Sequence, residues 1–559
     1  MVEYEDILIE VGQLGWYQLT LVLLIDVGWK FNTGWDMMLM IYVGANPGYT
    51  CPNTNLLNVS GLTNQTWPTS SLMQSTPSYL GSNATNRTGL VKDQCGPTNE
   101  ICDGYVFNKD FTSIVSEWQL VCGTDFVSDT ITSLQMAGVL FGSLIFGQLS
   151  DWFGRKKTFY TAIMMVSLFG FIQSFSVNWY MFAALRFFNG VAIGGGIVIG
   201  FVWSVEFLGP KYRPILGVFG AWPFGGCILT AIAYFTRDWR QTMMGTSLPG
   251  FLWLFAWWYL PESPRWLLTQ GRYDEVKAIT QRIAERNKKP MPDIDTFFKD
   301  YETQRRLQEG EKHVSTTYWD LFRTPAMAKM TLSFMFVWFS VSVISYGLQF
   351  NLKNMAGDIY INTLINVGTL WVFNVVLSVL PMYFGRKKCI ISYQFIAVII
   401  LIPVVVLYVL EINEEYWLIT NILSTTANNL VSTSWTNLFV WTGESYPTRV
   451  RDIGIGLNSM AARVGGILAP QTAYLTKFWN IFPFVLSGAL SLASGLLNLT
   501  QDETRDKLMQ DDLPERTWCF CGKKDDDDDL SSDRWSVKNG TNSDVRRAHV
   551  NEGFQDTKI

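Results

Sequence analysis

The stretch Gly147-Gln-Leu-Ser-Asp-Trp-Phe-Gly-Arg-Lys-Lys157 sits between two long apolar runs, and its end returns after the chain's midpoint as Phe384-Gly-Arg-Lys-Lys388. A turn this polar between apolar segments, present once in each half, points to a membrane protein built by duplication, with the same hinge in both halves. Composition agrees. Of 559 residues, 48% are hydrophobic, 15% aromatic and only 16% charged, against about 25% charged in soluble domains. The formal net charge of −5 says little, because the acids gather near the end, five of them at 525–529. Two histidines and no CxxC or HExxH spacing argue against a metal enzyme, and neither a metal nor a nucleic-acid partner is expected. The first 12 residues are polar and acidic, and the apolar run after them is helix-length and charged. That is not the pattern of a cleavable signal peptide.

Backbone groups inside a bilayer must be satisfied within the segment, which takes about 20 apolar residues as a helix. Twelve stretches qualify, at 15–43, 127–148, 157–176, 179–205, 214–236, 241–260, 327–350, 358–383, 389–410, 416–441, 452–475 and 479–499. They are called spans 1 to 12 below. An even number puts both termini on one side. Arg155-Lys-Lys157, Lys211, Arg213, Arg386-Lys-Lys388, Arg449 and Arg451 fall in loops of one side; the opposite loops hold Asn178, Glu411, Glu414 and Glu415. Arg237 and Arg240 run the other way but flank Asp238. The excess of bases marks the cytoplasmic side, so both termini are expected there.

Residues 44–126 then form an extracellular loop. Its sequons at Asn58, Asn64, Asn83 and Asn86 fit that side. So do Cys51, Cys95, Cys102 and Cys122, which in an oxidising compartment imply two disulfides with three pairings open. Cys227 and Cys389 lie in spans and read as packing residues, while Cys519 and Cys521 are cytoplasmic, as reduced thiols or palmitoylation sites. The expected organisation is a cytoplasmic N-terminus (1–14), a six-helix bundle (15–260) and a cytoplasmic helical linker (261–326). A second bundle (327–500) and a disordered acidic tail (501–559) follow. Sequons at Asn498 and Asn539 would face the cytoplasm and stay unmodified.

Three correspondences relate the halves: Gly154 with Gly385, Glu206 with Glu444 and Glu262 with Glu503, at offsets of 231, 238 and 241 residues. Glu206 and Glu444 each precede an arginine, Arg213 or Arg451, by seven residues. Three matches in register imply duplication. Six-plus-six parallel repeats are the architecture of the major facilitator fold: an all-α membrane protein of twelve transmembrane helices in two pseudo-symmetric bundles, with its site between them.

Residues 147–157 resemble the signature loop of that superfamily. Ser116-Glu-Trp-Gln-Leu-Val-Cys122, the large first loop, Pro261-Glu-Ser-Pro-Arg-Trp-Leu267 and Glu444-Ser-Tyr-Pro-Thr448 resemble one family within it. That family is the organic cation, organic anion and zwitterion transporters (solute carrier family 22), and the resemblance covers about 8–505. Val11-Gly-Gln-Leu-Gly-Trp-Tyr-Gln18, Val43-Gly-Ala-Asn-Pro47 and Asp36 look most like its fly-like branch, which includes a zwitterion carrier.

The hinge charges suit a gate. Asp151, Arg155, Glu206, Arg213, Glu262, Arg265, Arg386, Glu444 and Arg451 can form charge-assisted networks that close one side and break in the other state. The positive-inside rule accounts for bases there but offers acids nothing, and the repeat supplies the acids twice. Lys157 and Lys388 could be topogenic alone.

Arg463 lies in span 11, twelve residues past Arg451 and about 18 Å deep at the helical rise. An arginine facing a water-filled cavity there would receive a carboxylate; a structural ion pair is the alternative. The family resemblance implies that this position is basic in anion and zwitterion carriers and acidic in cation carriers. In span 1, Asp26 and Lys30 share a helix face and should neutralise each other. Asp36 has no such sequence neighbour and could meet a substrate cation or a proton. By resemblance, Trp338, Tyr346 and Trp435 line the cavity, with Thr436 beside them; an aromatic face attracts quaternary ammonium. Two departures stand out: Ser345 replaces a common tyrosine, and Leu370-Trp-Val372 stands where a Glu-x-Pro is usual.

The expected function is therefore polyspecific transport of small organic ions across the plasma membrane by alternating access. Zwitterions of the carnitine, betaine or ergothioneine kind are the favoured substrates. Organic anion exchange is the alternative, and a non-transporting glycoprotein or scaffold is the alternative of another class. No enzyme is expected, and no cofactor beyond a coupling ion, Na+ or H+. Membrane lipids are expected partners, as is a PDZ domain at Asp556-Thr-Lys-Ile559.

Overall fold

The computed structural model describes residues 4–52, 90–92, 105–209, 212, 221–310, 317–377 and 379–504. Within them a helix occupies each of the twelve spans. The first half holds Trp16–Met38 continued by Met40–Val43, Phe126–Phe153, Arg155–Gln173, Trp179–Glu206, Ala221–Thr236, and Trp239–Trp253 ending in a 3-10 turn, Leu254–Trp258. The second half holds Pro325–Phe350, Ile359–Leu377 followed by Leu380–Phe384, Arg386–Val409, Trp417–Ser445, Arg451–Tyr474 and Phe482–Leu499. Between the halves run Pro264–Thr269, Tyr273–Asn287 and Ile294–Gly310. Helix Tyr4–Val11 packs on them, its Tyr4 hydroxyl 3.0 Å from Thr280 Oγ1.

Among the described residues, six helices are long and apolar enough to cross a membrane by composition alone, those of spans 2, 4, 7, 8, 9 and 12. The other six are shorter or more polar, and the polarity has a structural cause. Span 10 hydrogen-bonds to span 8 along a buried ladder: Asn421 Nδ2 donates to Asn362 Oδ1 (2.5 Å), and Asn429 Nδ2 donates to the Asn366 carbonyl (2.8 Å) and Thr369 Oγ1 (2.7 Å). Polar groups turned toward a neighbouring helix are satisfied there and need no lipid. The close approach of spans 2 and 4 works differently. A Cβ on Gly138, Gly142, Gly190 or Gly194 would collide with the facing backbone, so small residues set the spacing.

The duplicated turns share one geometry. Gly154 has φ 97° and ψ 160°, Gly385 φ 94° and ψ 155°, a region open almost only to glycine. Each turn leads straight into a helix whose first N–H groups need acceptors. Glu262 Oε1 accepts from the Lys156 N–H (2.9 Å), and Glu503 Oε1 from the Arg386 N–H (3.1 Å). A Cβ on Gly154 would sit 2.5 Å from Glu262 Oε2, and one on Gly385 2.6 Å from Glu503 Oε2. Burial raises the Glu262 carboxyl above its usual range, against backbone donors that lower it.

The first loop adds a three-stranded antiparallel sheet of Tyr49–Pro52, Leu90–Lys92 and Val106–Phe107, with the first strand in the middle. Cys122 is disulfide-bonded. Cys95, Cys102, the Cys51 side chain, Arg213 and the sequons at Asn58, Asn64, Asn83 and Asn86 lie outside the described residues and side chains, as does the tail from 505. The end of the loop docks through Glu117, which accepts from Trp239 Nε1 (2.7 Å), and through Trp118, whose ring packs on Phe182 and Trp239.

Gly154→Ala and Gly385→Ala are each expected to cost about 1–3 kcal/mol, read as a fall in melting temperature of the detergent-solubilised protein. Gly456→Ala, where a Cβ meets open space, serves as control and should not lower it. Equal melting of all three variants would mean that the capped turns do not need glycine.

Candidate functional site

A cavity of about 340 Å³ lies between the two halves. Span 1 contributes Trp29 and Lys30, span 4 Ile197, and span 5 Trp222 and Pro223. From the second half come Trp338, Ser342, Ser345, Tyr346 and Gln349 of span 7, Leu370 and Asn374 of span 8, Ser432, Trp435, Thr436 and Phe439 of span 10, and Ser459, Ala462 and Arg463 of span 11. Five residues singled out in the sequence, Arg463, Trp338, Tyr346, Trp435 and Thr436, therefore share one wall system.

Arg463 forms no ion pair with any described residue. No aspartate or glutamate lines the cavity among the described residues, and Leu370 lines it where the Glu-x-Pro is missing. Facing Arg463 is an aromatic cluster. The Trp338 ring meets Trp435 edge-on (centroids 5.6 Å apart, 77° between planes) and Phe439 (4.4 Å, 75°). Trp338 is 1% exposed and its Nε1 donates to Thr442 Oγ1 at 3.0 Å, which fixes the ring. Trp435 is half-buried, and Thr436 and Phe439 are exposed to the cavity.

Asp36 is not part of this wall. The sequence offered it no neighbour, but the fold supplies Arg186 of span 4. Arg186 Nη1 lies 3.6 Å from Asp36 Oδ1, and Nη2 donates to the Asp36 carbonyl at 2.6 Å. Gln135 of span 2 joins them, accepting from Arg186 Nε at 3.1 Å. Both charges are buried, and with Gln135 the pair ties spans 1, 2 and 4 together. Arg186 was discoverable: an arginine seven residues into a span invites the same argument that singled out Arg463. The expected Asp26–Lys30 pair forms, at 2.8 Å.

The hinge charges pair inside each half. Arg155 bonds Asp151 and reaches Glu206 Oε1 at 3.3 Å; Arg386 reaches Glu444 Oε1 at 2.8 Å. These pairs are repeat-related. Glu262 works as the helix cap described above, and Arg265 pairs with Glu5 (2.7 Å) of the N-terminal helix. Arg451 opens the span 11 helix. On this face no ion pair between described residues links the two halves, and the hydrophobic clusters are separate, one in the first half and linker, one in the second.

The face of the first loop is arranged the opposite way. Asp129 of span 2 pairs with Lys353 beyond span 7 at 2.7 Å, both more than nine-tenths buried, and Lys477 beyond span 11 bonds Asp125. Gln471 Nε2 donates to Ser133 Oγ at 3.0 Å, and Tyr360 of span 8 stacks on Tyr42 of span 1, with centroids 5.5 Å apart. Here the hydrophobic clusters contain residues of both halves. Among the described residues, the ion pairs that join the halves lie at the loop face. None of the four charges at this junction stood out in the sequence, because nothing in local spacing relates residues 224 positions apart.

Removing one member of a buried ion pair leaves the other uncompensated, at about 3–5 kcal/mol. Asp129→Asn should therefore weaken closure at the loop face. An impermeant thiol reagent added on that side should then react with Thr436→Cys several-fold faster than in the parent. Exchanging the charges (Asp129→Lys with Lys353→Asp) should restore slow labelling. Unchanged labelling in Asp129→Asn would remove the pair from the closure.

A family model described as "Sugar (and other) transporter" matches residues 74–497, more than half of the chain. The organic cation transporter protein of Drosophila melanogaster is 32% identical, covering 91% of this chain and 94% of the relative. Solute carrier family 22 member 4 of Mus musculus is 31% identical, covering 94% and 97%. The human organic cation/carnitine transporter 2 is 33% identical over 72% of each chain. Among solved structures, the inward-open xylose transporter XylE from E. coli superposes with a TM-score of 0.58 at 15% identity, covering 88% of this chain and 98% of XylE. The chain is thus a multi-pass membrane transporter with the major facilitator fold, and it belongs to solute carrier family 22.

Proposed function

We propose that this secondary transporter of organic ions carries small zwitterions of the carnitine, betaine or ergothioneine kind across the plasma membrane. The observation that carries the proposal is the lone guanidinium of Arg463 in a cavity walled by tryptophans. An arginine offers a carboxylate two parallel donors in a fixed plane. Trp435 and its neighbours offer a cation the negative faces of their rings, worth about 2 kcal/mol or more once desolvated. A molecule bearing a carboxylate at one end and a quaternary ammonium at the other satisfies both without any acid in the wall. Three of the relatives are named organic cation/carnitine transporter 2, and carnitine has those two ends.

The transport cycle follows from where the ion pairs lie. The cavity exchanges cargo with the hinge face while Asp129–Lys353 and Lys477–Asp125 hold the loop face shut. In the opposite state these pairs part, and the repeated charges at the hinge close the other side. The excess of bases in the hinge loops makes that face cytoplasmic, with both termini on the same side.

Organic anion exchange is the second reading, and one observation favours it: the wall carries Arg463 and Lys30 but no carboxylate among the described residues. Uptake of a labelled trimethylammonium carboxylate into expressing cells separates the two. Zwitterion carriage predicts competition by other betaines and none by simple monocarboxylates; anion exchange predicts the reverse. Arg463→Ala should lower zwitterion uptake at least tenfold, about 1.4 kcal/mol or more, at unchanged surface expression. Trp435→Ala should raise KM about tenfold, with Trp435→Phe retaining most of the affinity. Equal uptake by Arg463→Ala and the parent would sink the assignment.

A further inference from the structure

We propose that Asp26, which lies behind the cavity wall and touches no substrate, sets how many anionic groups the cavity accepts. Asp26 is 2% exposed, and Lys30, one helical turn further on, lines the cavity on the side opposite the second-half wall that bears Arg463. Lys30 Nζ lies 2.8 Å from Asp26 Oδ1 and 5.5 Å from the centre of the Trp29 ring. The proposal rests on Arg463 being the carboxylate receptor. What Asp26 adds to that reading is a charge count.

The wall holds two cations and no acid among the described residues. Left at that, the cavity would suit a dianion, with one anionic end on each cation. Asp26 changes the sum. Held against a buried carboxylate, the Lys30 ammonium is neutralised where it stands, and the cavity presents one uncompensated positive charge, at Arg463. A substrate with a second carboxylate would have to draw Lys30 away and leave Asp26 ionised, buried and alone. Its Oδ2 atom is already buried with no hydrogen-bond partner, so nothing described would share the load. A buried carboxylate stripped of its counter-ion is costly. Asp26 therefore excludes dianions without blocking their path, and Lys30 keeps its stem in the wall as a spacer.

The assignment makes Asp26 a positioning residue for selectivity, and its effect must pass through Lys30. The test uses full-length chain in expressing cells, with uptake normalised to surface protein by biotinylation. The substrate is a labelled trimethylammonium monocarboxylate. Its competitors are an unlabelled monocarboxylate betaine and the same betaine bearing a second carboxylate. In the parent the dicarboxylate should compete at least tenfold less well than the monocarboxylate. Asp26→Asn removes the charge that neutralises Lys30 without changing side-chain size, and a charge-assisted hydrogen bond from the uncompensated ammonium should improve dicarboxylate competition about tenfold. The monocarboxylate should be little affected. The neutral pair Asp26→Asn with Lys30→Met should return to the parental ranking.

Three results would overturn the proposal: equal competition by the two betaines in the parent, which needs no variant; Asp26→Asn at the surface with no gain for the dicarboxylate; or the double variant keeping the gain. Arg463→Ala separates this from the underlying reading. If that variant transports like the parent, the carboxylate receptor is wrong, whereas a normal Arg463 effect with any of the three results removes only the role of Asp26.

Discussion

A charge inside a bilayer persists only where it is paired or faces water, and that constraint sorts the ionisable residues of the spans. Asp36 and Arg186 are buried against one another, and Asp26 lies against Lys30. Arg463 stands apart: it has no ion-pair partner among the described residues, and its surroundings are a cavity instead of a carboxylate. Keeping a half-buried guanidinium unpaired inside a bilayer costs stability. In a carrier of the proposed kind the cost makes sense, because the cargo would supply the partner and remove it again on release.

The same logic explains why the two faces differ. A carrier must bond its halves on one face and release them on the other, then exchange the arrangement. The repeat-related pairs Arg155–Glu206 and Arg386–Glu444 lie within their own halves here, so each half satisfies these hinge charges from within. Asp129–Lys353 and Lys477–Asp125 meanwhile cross between the halves at the loop face. The glutamate caps on the Gly154 and Gly385 turns sit outside this exchange. They fasten the last helix of each half to the start of its third, so each half moves as one body. The hinge motif thus combines a fixed part, glycine and capping glutamate, with an exchangeable part, arginine and its acids.

What the sequence disclosed follows from the range of each interaction. The spans and the repeat were legible because apolar length and a glycine beside clustered bases are local patterns. The Asp26–Lys30 pair was legible for the same reason, since four residues place two side chains on one helix face. The capping roles of Glu262 and Glu503 were not, although both glutamates were found through the repeat. Their acceptor function depends on N–H groups 106 and 117 positions away. The Asp36–Arg186 pair was not legible, because its members stand 150 residues apart. Five cavity residues were anticipated through family resemblance and the depth of Arg463, whereas Trp29, Trp222 and Phe439 have no local signal that separates them from aromatics facing lipid.

The lack of an acid in the cavity wall bears on how a cationic end can be held at all. A carboxylate in the wall would bind small alkali cations and organic ammonium alike, and would itself compete for Arg463. Aromatic faces avoid both difficulties. They attract a large, weakly hydrated quaternary ammonium, lose to water for a small strongly hydrated ion, and leave the guanidinium free. With Leu370 in the place of a usual span 8 glutamate and Asp36 committed to Arg186, the cavity has shed the carboxylates that could have satisfied Arg463 from within. A charge left uncompensated in the wall is open to neutralisation by a bound anionic group, which is what the proposed carriage of zwitterions requires.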